Sequence, residues 1–158
     1  MANIGNYITI LDSVDSTNNY AMQKINEGLA QHGNAWLAMV QTAGKGQRGK
    51  EWDSKHGENI LLSIAIQGHF LSIENQFQLS ATIATACRFF IQKFVRKSVN
   101  IKWPNDLYID DNKAGGILIQ NIIQGDIWKW AIVGIGINVN QTSFDKDIPN
   151  PTSLKLIE

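Results

Sequence analysis

Between residues 99 and 137 the sequence offers four β-type runs with no room for a helix between them. Val99 to Trp103 ends at Pro104-Asn105-Asp106. Leu107 to Ile109 and Ala114 to Ile123 read as hairpin arms around the turn formers Asp110-Asp111-Asn112-Lys113, and Gly125-Asp126 turns the chain into Ile127 to Ile137. Connections this short join antiparallel neighbours, so the second half of the chain predicts a meandering sheet. The first half alternates. Tyr7 to Leu11 is a short β-rich run closed by Asp12-Ser13. Asp15-Ser16-Thr17 are N-cap types ahead of Tyr20, Ala21, Ile25 and Leu29 at helical spacing, and Gly28 and Gly33 mark that helix's end. Ala35 to Gln41 reads as a strand, and Asn59 to Ile66 as a buried one. Ser72 is placed to cap a long helix from Ile73 to Val95 whose Phe77, Ser80/Ala81, Ala84, Cys87/Arg88, Ile91 and Phe94/Val95 trace one face. Thr152-Ser153-Leu154 reads as the start of another helix. The fold class is therefore α+β: a mixed, mostly antiparallel β-sheet with helices packed on one face.

A chain of 158 residues fits one domain. Fourteen basic and fourteen acidic residues cancel, which disfavours nucleic acid as the main partner. The single Cys87 cannot form an internal disulfide and fits a reducing, cytoplasmic setting; its apolar helical surroundings make it a core residue. His32, His56 and His69 lack ligand spacing, so no zinc site is expected. No apolar run approaches a membrane span, and MANIGNYITI is not a signal-peptide pattern.

The loop Gly44-Lys45-Gly46-Gln47-Arg48-Gly49-Lys50 places three glycines and three cations in seven residues. It fits both G-x-G-x-x-G and G-x-x-x-x-G-K. The P-loop reading fails because Glu51 stands where a hydroxyl must meet Mg²⁺. Both nucleotide motifs also need a helix beginning at the loop, and residues 51–59 carry turn formers without helical periodicity. What survives is physical. Glycines let a backbone approach a ligand, Lys45, Arg48 and Lys50 bring charge, and Trp52 offers a ring to stack on.

Three further segments carry chemistry. Asp15-Ser16-Thr17-Asn18-Asn19 gathers small polar groups at a helix start, either as a plain N-cap or as donors and acceptors for a polar ligand head. Lys102-Trp103-Pro104-Asn105-Asp106 sets an acid after a strand. If the hairpin arms pair closely, Asp106 meets Lys113, an acid to place Mg²⁺ or an amine beside a cation for phosphate. Gly134-Ile135-Gly136-Ile137-Asn138 puts glycines inside a strand, where they need a reason such as close approach of a ligand or another backbone.

Taken together, Asp15-Ser16-Thr17-Asn18, GKGQRGKEW, KWPNDLY, KAGGILI and GIGINVN resemble the biotin protein ligase family in order and spacing, over about residues 7–155. The resemblance implies a class II synthetase-like fold and an ATP-dependent, two-step reaction. Biotin's carboxylate attacks the α-phosphate of ATP to give biotinyl-5'-AMP and pyrophosphate, and a lysine of a biotin carboxyl carrier domain then takes the biotin. By motif position it implies a biotin site of Ser16, Thr17, Asn18, Gln41, Gly44, Lys45, Gly46, Gln47, Lys113, Gly116 and Leu118. It implies nucleotide contacts from Arg48, Lys50, Trp52, Asn105, Lys113 and Asn138, with Lys113 and Asp106 catalytic and Asp106 near Mg²⁺.

Two departures from the family pattern stand out. The family loop usually reads GRGR, and here Lys45 and Gln47 replace both arginines. Lysine keeps the charge without the bidentate fork, and Gln47 loses the charge. The sequence also stops soon after PTSL, where the family continues into a helix and a small β-barrel. Residues 1–158 are thus expected to be a single catalytic domain without a winged helix or DNA binding, and with a homodimer open to it through an exposed sheet edge. A lipoate or octanoate protein ligase, and a non-catalytic binder of biotin or its adenylate, remain as alternatives.

Overall fold

The computed structural model describes residues 4–68 and 72–157; His69 and the first three residues lie outside them. Seven strands, β1 (Ile8–Val14), β2 (Ala35–Gln41), β3 (Asn59–Gln67), β4 (Val99–Lys102), β5 (Asp106–Ile109), β6 (Asn112–Gln124) and β7 (Ile127–Asn138), form one sheet in the order β1-β2-β3-β7-β6-β5-β4. The helices are α1 (Thr17–Asn26), α2 (Gln76–Gln92) and the one-turn α3 (Leu154–Ile157). Only β1 and β2 pair in parallel; every other pair is antiparallel, which makes the sheet mixed and mostly antiparallel, as expected.

The element boundaries differ where pairing overrides local signals. β1 runs through Asp12-Ser13 to Val14 because residues 8–14 pair with β2 up to Gln41; the two turn formers sit inside a strand. The β5–β6 turn shrinks to Asp110-Asp111, with Asp110 in the left-handed region at φ 52°, so Asn112 and Lys113 belong to β6. Asp106 begins β5 instead of ending a turn. Ser72 makes no side-chain cap: residues 73–75 form a 3₁₀ turn, and α2 proper spans 76–92, inside the expected 73–95. Leu29 lies beyond α1 and is exposed.

β7 is buried on both faces and organises the core. Ala131 and Val133 pack with Ile66 and Leu79 of α2 on one side. Ile132, between them, packs with Ala21 of α1, Trp36 and Ala65 on the other. Successive strand residues point to opposite faces, so α2 and α3 cover one face and α1 lies across the other; the expected packing of the helices on one face holds only for α2 and α3, because β7 is apolar on both sides. The buried stripe of α2 is Leu79, Ala84, Cys87 and Ile91; Phe77 and Phe94, expected on it, are exposed at 63% and 52%.

Cys87 is buried among Ile91, Val99 and Leu107, and desolvation raises its thiol from 9.0 to about 11. The folded state therefore holds a proton that the unfolded chain releases, and this contribution is lost as pH rises from about 9 towards 11. Thermal melts between pH 8 and 10.5 are expected to show a downward slope of which a Cys87→Ala variant lacks part. A thiol reagent at pH 8 is expected to label Cys87 only on unfolding.

Candidate functional site

The face of the sheet that carries α1 has a floor with few side chains. Gly134, Gly136 and Gly116 lie side by side across β7 and β6, since Gly116 pairs with Gly136 and Leu118 with Gly134. Each glycine makes room for a neighbour. A Cβ on Gly134 would lie 2.4 Å from Asn18 Oδ1, one on Gly136 2.6 Å from Trp52 Cε2, and one on Gly116 3.0 Å from Trp52 Cζ3. The close approach expected at these glycines is thus made by the Asn18 amide and the Trp52 indole.

Two clefts adjoin over this floor. The first is lined by Ser16, Thr17, Asn18, Gln41, Lys45, Gly46, Gln47, Gly116 and Leu118, all expected at the biotin site, by Asn105, expected among the nucleotide contacts, and by Leu61, Ile117, Gly134, Ile135 and Gly136. The second is a broader groove. Lys50 and Asn138 line it as expected; Lys102, Tyr108, Phe144, Asp147, Ile148 and Pro149 line it without having been expected there. Trp52, Asp106 and Lys113 belong to both and form the wall between them. Gly44 abuts the first cleft through Gln41 and the Trp52 carbonyl. Arg48 lines neither cleft; it is exposed, with φ 55° in the loop's single 3₁₀ turn.

At the closed end of the first cleft the polar groups are held by one another. The Thr17 amide and hydroxyl both donate to Gln41 Oε1, at 2.7 and 2.9 Å. Asn18 Nδ2 donates to Gln120 Oε1 at 2.8 Å. Ser63 Oγ lies 2.7 Å from Thr17 Oγ1 and 2.6 Å from Asn18 Oδ1. Ser16 occupies the N-cap position of α1 without any side-chain capping bond, so the plain-cap reading fails for it. Because Gln41 Oε1 is fully used by Thr17, its amide nitrogen is the group left to face a ligand as a donor.

The glycine loop folds back on itself, with a Lys45–Glu51 bridge and a Gly46 amide donating to the Lys50 carbonyl at 2.7 Å. Lys45 Nζ donates to Asn19 Oδ1 at 2.6 Å, and Asn19 Nδ2 in turn donates to Asp15, tying the loop to α1. The Asn19 hydrogen bond, with Lys45 adding to it, holds the Asp15 carboxyl below the usual carboxylate range.

At the wall, Lys113 Nζ lies 2.8 Å from Asp106 Oδ1 and 5.9 Å from the centre of the Trp52 ring. The hairpin pairing anticipated between these two residues is thus present. The contact is close without hydrogen-bond alignment, and Asp106 Oδ1 accepts no other hydrogen bond. The Trp52 indole N–H is buried and also unmatched, a cost of about 1–3 kcal/mol that a ligand acceptor would remove. The Lys113 main chain is fixed on both sides by the segment after β7: its amide donates to the Asn150 carbonyl at 2.7 Å, and its carbonyl accepts from the Thr152 amide at 2.9 Å. Asn138 Nδ2 donates to the Thr152 carbonyl at 2.9 Å, which leaves its carbonyl oxygen to the groove. Among the described residues no three His, Cys, Asp or Glu side chains gather as a metal cage.

The residues that sequence reasoning passed over are Ser63, Gln120, Phe144 and the 147–149 lip. For two of them a signal existed: Ser63 interrupts the apolar run NILLSIAI, and Gln120 ends the apolar run GILI.

A cleft with a polar end, a cationic loop beside it, and a lysine–aspartate wall leading to a groove edged by an indole give the domain two adjoining clefts that share one wall. Residues 10–138 match the model of the biotin/lipoate A/B protein ligase family, and the chain belongs to it. The chain is 32% identical over 157 residues to the bifunctional ligase/repressor BirA of Escherichia coli strain K12, covering 98% of this chain and 47% of that one. It is 35% identical over 132 residues to the biotin–[acetyl-CoA-carboxylase] ligase of Paracoccus denitrificans, covering 82% and 53%. The chain thus spans about half the length of the curated relatives it matches. Biotin protein ligase from Aquifex aeolicus, solved with biotin and ATP, superposes at TM-score 0.80 with 29% identity, over 96% of this chain and 61% of that one. The ligase of Leishmania major with biotinyl-5-AMP gives TM-score 0.80 with 27% identity, over 96% and 64%.

Proposed function

We propose that this chain is the catalytic domain of a biotin protein ligase: it adenylates biotin with ATP and transfers it to a lysine of a carboxylase's biotin carboxyl carrier domain. One observation carries the choice of biotin. The first cleft ends in a fixed set of amides and hydroxyls, Thr17, Asn18 and Gln41, each oriented by a partner. Biotin's cyclic urea has N–H donors and a carbonyl acceptor to match them. The dithiolane of lipoate has neither, and offers no acceptor to the Gln41 amide nitrogen that Thr17 leaves over.

The roles follow from position. Biotin's head lies at Ser16, Thr17, Asn18 and Gln41, and its chain runs between Gly116 and Leu118 under the Lys45–Gln47 loop. Its carboxylate reaches the wall, where Lys113 holds it against the α-phosphate. The nucleotide occupies the groove, its adenine on Trp52, with Asn138 and Lys50 around it, while Asn105 stands on the first-cleft side of the wall. Attack of the carboxylate oxygen on the α-phosphorus releases pyrophosphate. Attack of the acceptor amine on the resulting carbonyl then releases AMP. Lys113 offsets the charge of two anions brought together, and the closed loop keeps water from the mixed anhydride. Asp106 faces the acceptor amine. Asp106, the carboxylate at the wall, would hold a Mg²⁺ that arrives on phosphate and takes few protein ligands, in keeping with the lack of a protein metal cage among the described residues. Bound there, Mg²⁺ would neutralise phosphate charge.

Pyrophosphate release with ATP and either biotin or lipoate tests the reading. Release with biotin alone is expected; release only with lipoate makes the chain a lipoate ligase, and biotin binding without release makes it a binder. Transfer to a carrier domain by this 158-residue chain tests the second step. Gln47 lines the first cleft where the family places arginine. Gln47→Arg is expected to slow adenylate escape about tenfold by adding a charged, two-pronged contact. Equal release rates from the two proteins would show that Gln47 does not govern retention.

A further inference from the structure

The polar end of the first cleft is one proton short. Three oxygen–oxygen contacts of hydrogen-bond length link Gln41 Oε1, Thr17 Oγ1, Ser63 Oγ and Asn18 Oδ1, at 2.9, 2.7 and 2.6 Å in that order. The two terminal oxygens only accept, since both belong to amides whose orientation is set elsewhere. Gln41 Oε1 faces the Thr17 amide that donates to it at 2.7 Å, and Asn18 Nδ2 faces the Leu118 main-chain carbonyl at 3.4 Å and Gln120 Oε1 at 2.8 Å. The only protons on the chain of contacts are those of the Thr17 and Ser63 hydroxyls. Two protons cannot serve three contacts, so one pair of oxygens always faces without a hydrogen. Ser63 Oγ belongs to two of the three contacts, so its single proton goes either to Asn18 Oδ1 or to Thr17 Oγ1; when it turns to Thr17, Asn18 Oδ1 is left to accept from an incoming N–H.

We propose that Ser63 is a positioning residue for the ligand head, holding the Thr17 hydroxyl and the Asn18 carbonyl oxygen in place through its one hydroxyl. The inference rests on the reading of the first cleft as the biotin site. Ser63 itself is fully buried and lines neither cleft. It acts through Thr17 and Asn18, which do line the first one. Its hydroxyl projects from β3 on the face that carries α1 and joins the Thr17–Gln41 pair to the Asn18–Gln120 pair by side-chain hydrogen bonds.

The test is the affinity of biotin for wild type, Ser63→Ala and Ser63→Cys by titration calorimetry, with melting temperature and steady-state constants measured in parallel. Both variants are expected to weaken biotin about tenfold, the cysteine because its thiol is a poor donor of nearly the same size, while KM for ATP and kcat at saturating biotin stay within about twofold. Gln120→Leu frees Asn18 at the other end of the chain of contacts. It is expected to weaken biotin to a similar degree, and it carries the test if Ser63→Ala does not fold. A variant set with lowered melting temperatures and unchanged biotin affinity overturns the positioning role and leaves a merely structural one. Wild type that does not bind biotin overturns the functional reading, and this inference with it.

Discussion

Lys113→Ala is expected to lower biotin-dependent pyrophosphate exchange by about a thousandfold, while biotin affinity falls far less. The lysine is the one cation common to the two clefts, and its ammonium stands 2.8 Å from Asp106 at the wall that both ligands must meet. Its loss acts twice. A carboxylate and a triphosphate must then approach without the charge between them, and Asp106 is left as a further, unpaired negative charge at the same point. The double variant Lys113→Ala/Asp106→Asn is therefore expected to recover part of the lost rate, since it removes the added repulsion. Exchange within tenfold of wild type in Lys113→Ala would remove this lysine from the reaction. No recovery in the double variant would show that the pair is not coupled.

Gly136→Ala is expected to raise KM for ATP about tenfold or more with a smaller change for biotin. The added methyl would lie 2.6 Å from Trp52 Cε2, 2.8 Å from Cζ2 and 3.0 Å from Nε1, inside the contact distance of any real side chain. The strand cannot yield. β7 is paired on both sides, Gly136 to Leu61 and to Gly116, and its neighbour Ile137 is buried at 3% exposure in the core beneath α2. The indole must therefore leave its seat, and with it the surface on which a nucleobase would stack. A red shift in tryptophan emission together with the rise in KM checks this. Wild-type KM with displaced emission would mean the ring's seat is irrelevant to the nucleotide.

Much of this arrangement was legible in the sequence, and what was not has identifiable causes. The hairpin signals at 104–106, 110–113 and 124–126 placed four strands and brought Asp106 to Lys113, because short connections leave few pairings open. The parallel β1–β2 pair was not visible, since its partners are separated by α1 and its own turn formers argued against it. The buried face of α2 was misassigned at Phe77 and Phe94 because apolar residues surround that helix, and only the sheet decides which side is covered. At the site, the polar groups at a helix start and the glycine strand each looked unusual. That Asn18 fits over Gly134, and Trp52 over Gly116 and Gly136, is a matter of three-dimensional complementarity that no spacing rule encodes. Ser63 stood out only as one hydroxyl in an apolar run, and its importance appears when protons are counted around it.

The lysine at the wall is gripped through its peptide groups by residues 150 and 152, the stretch that also carries the groove's proline lip. Lys113 is also paired with Tyr108 inside the sheet. The lip is thereby pinned to the sheet at the very residue whose side chain stands between the two clefts, so the groove's edge and the wall share one anchor.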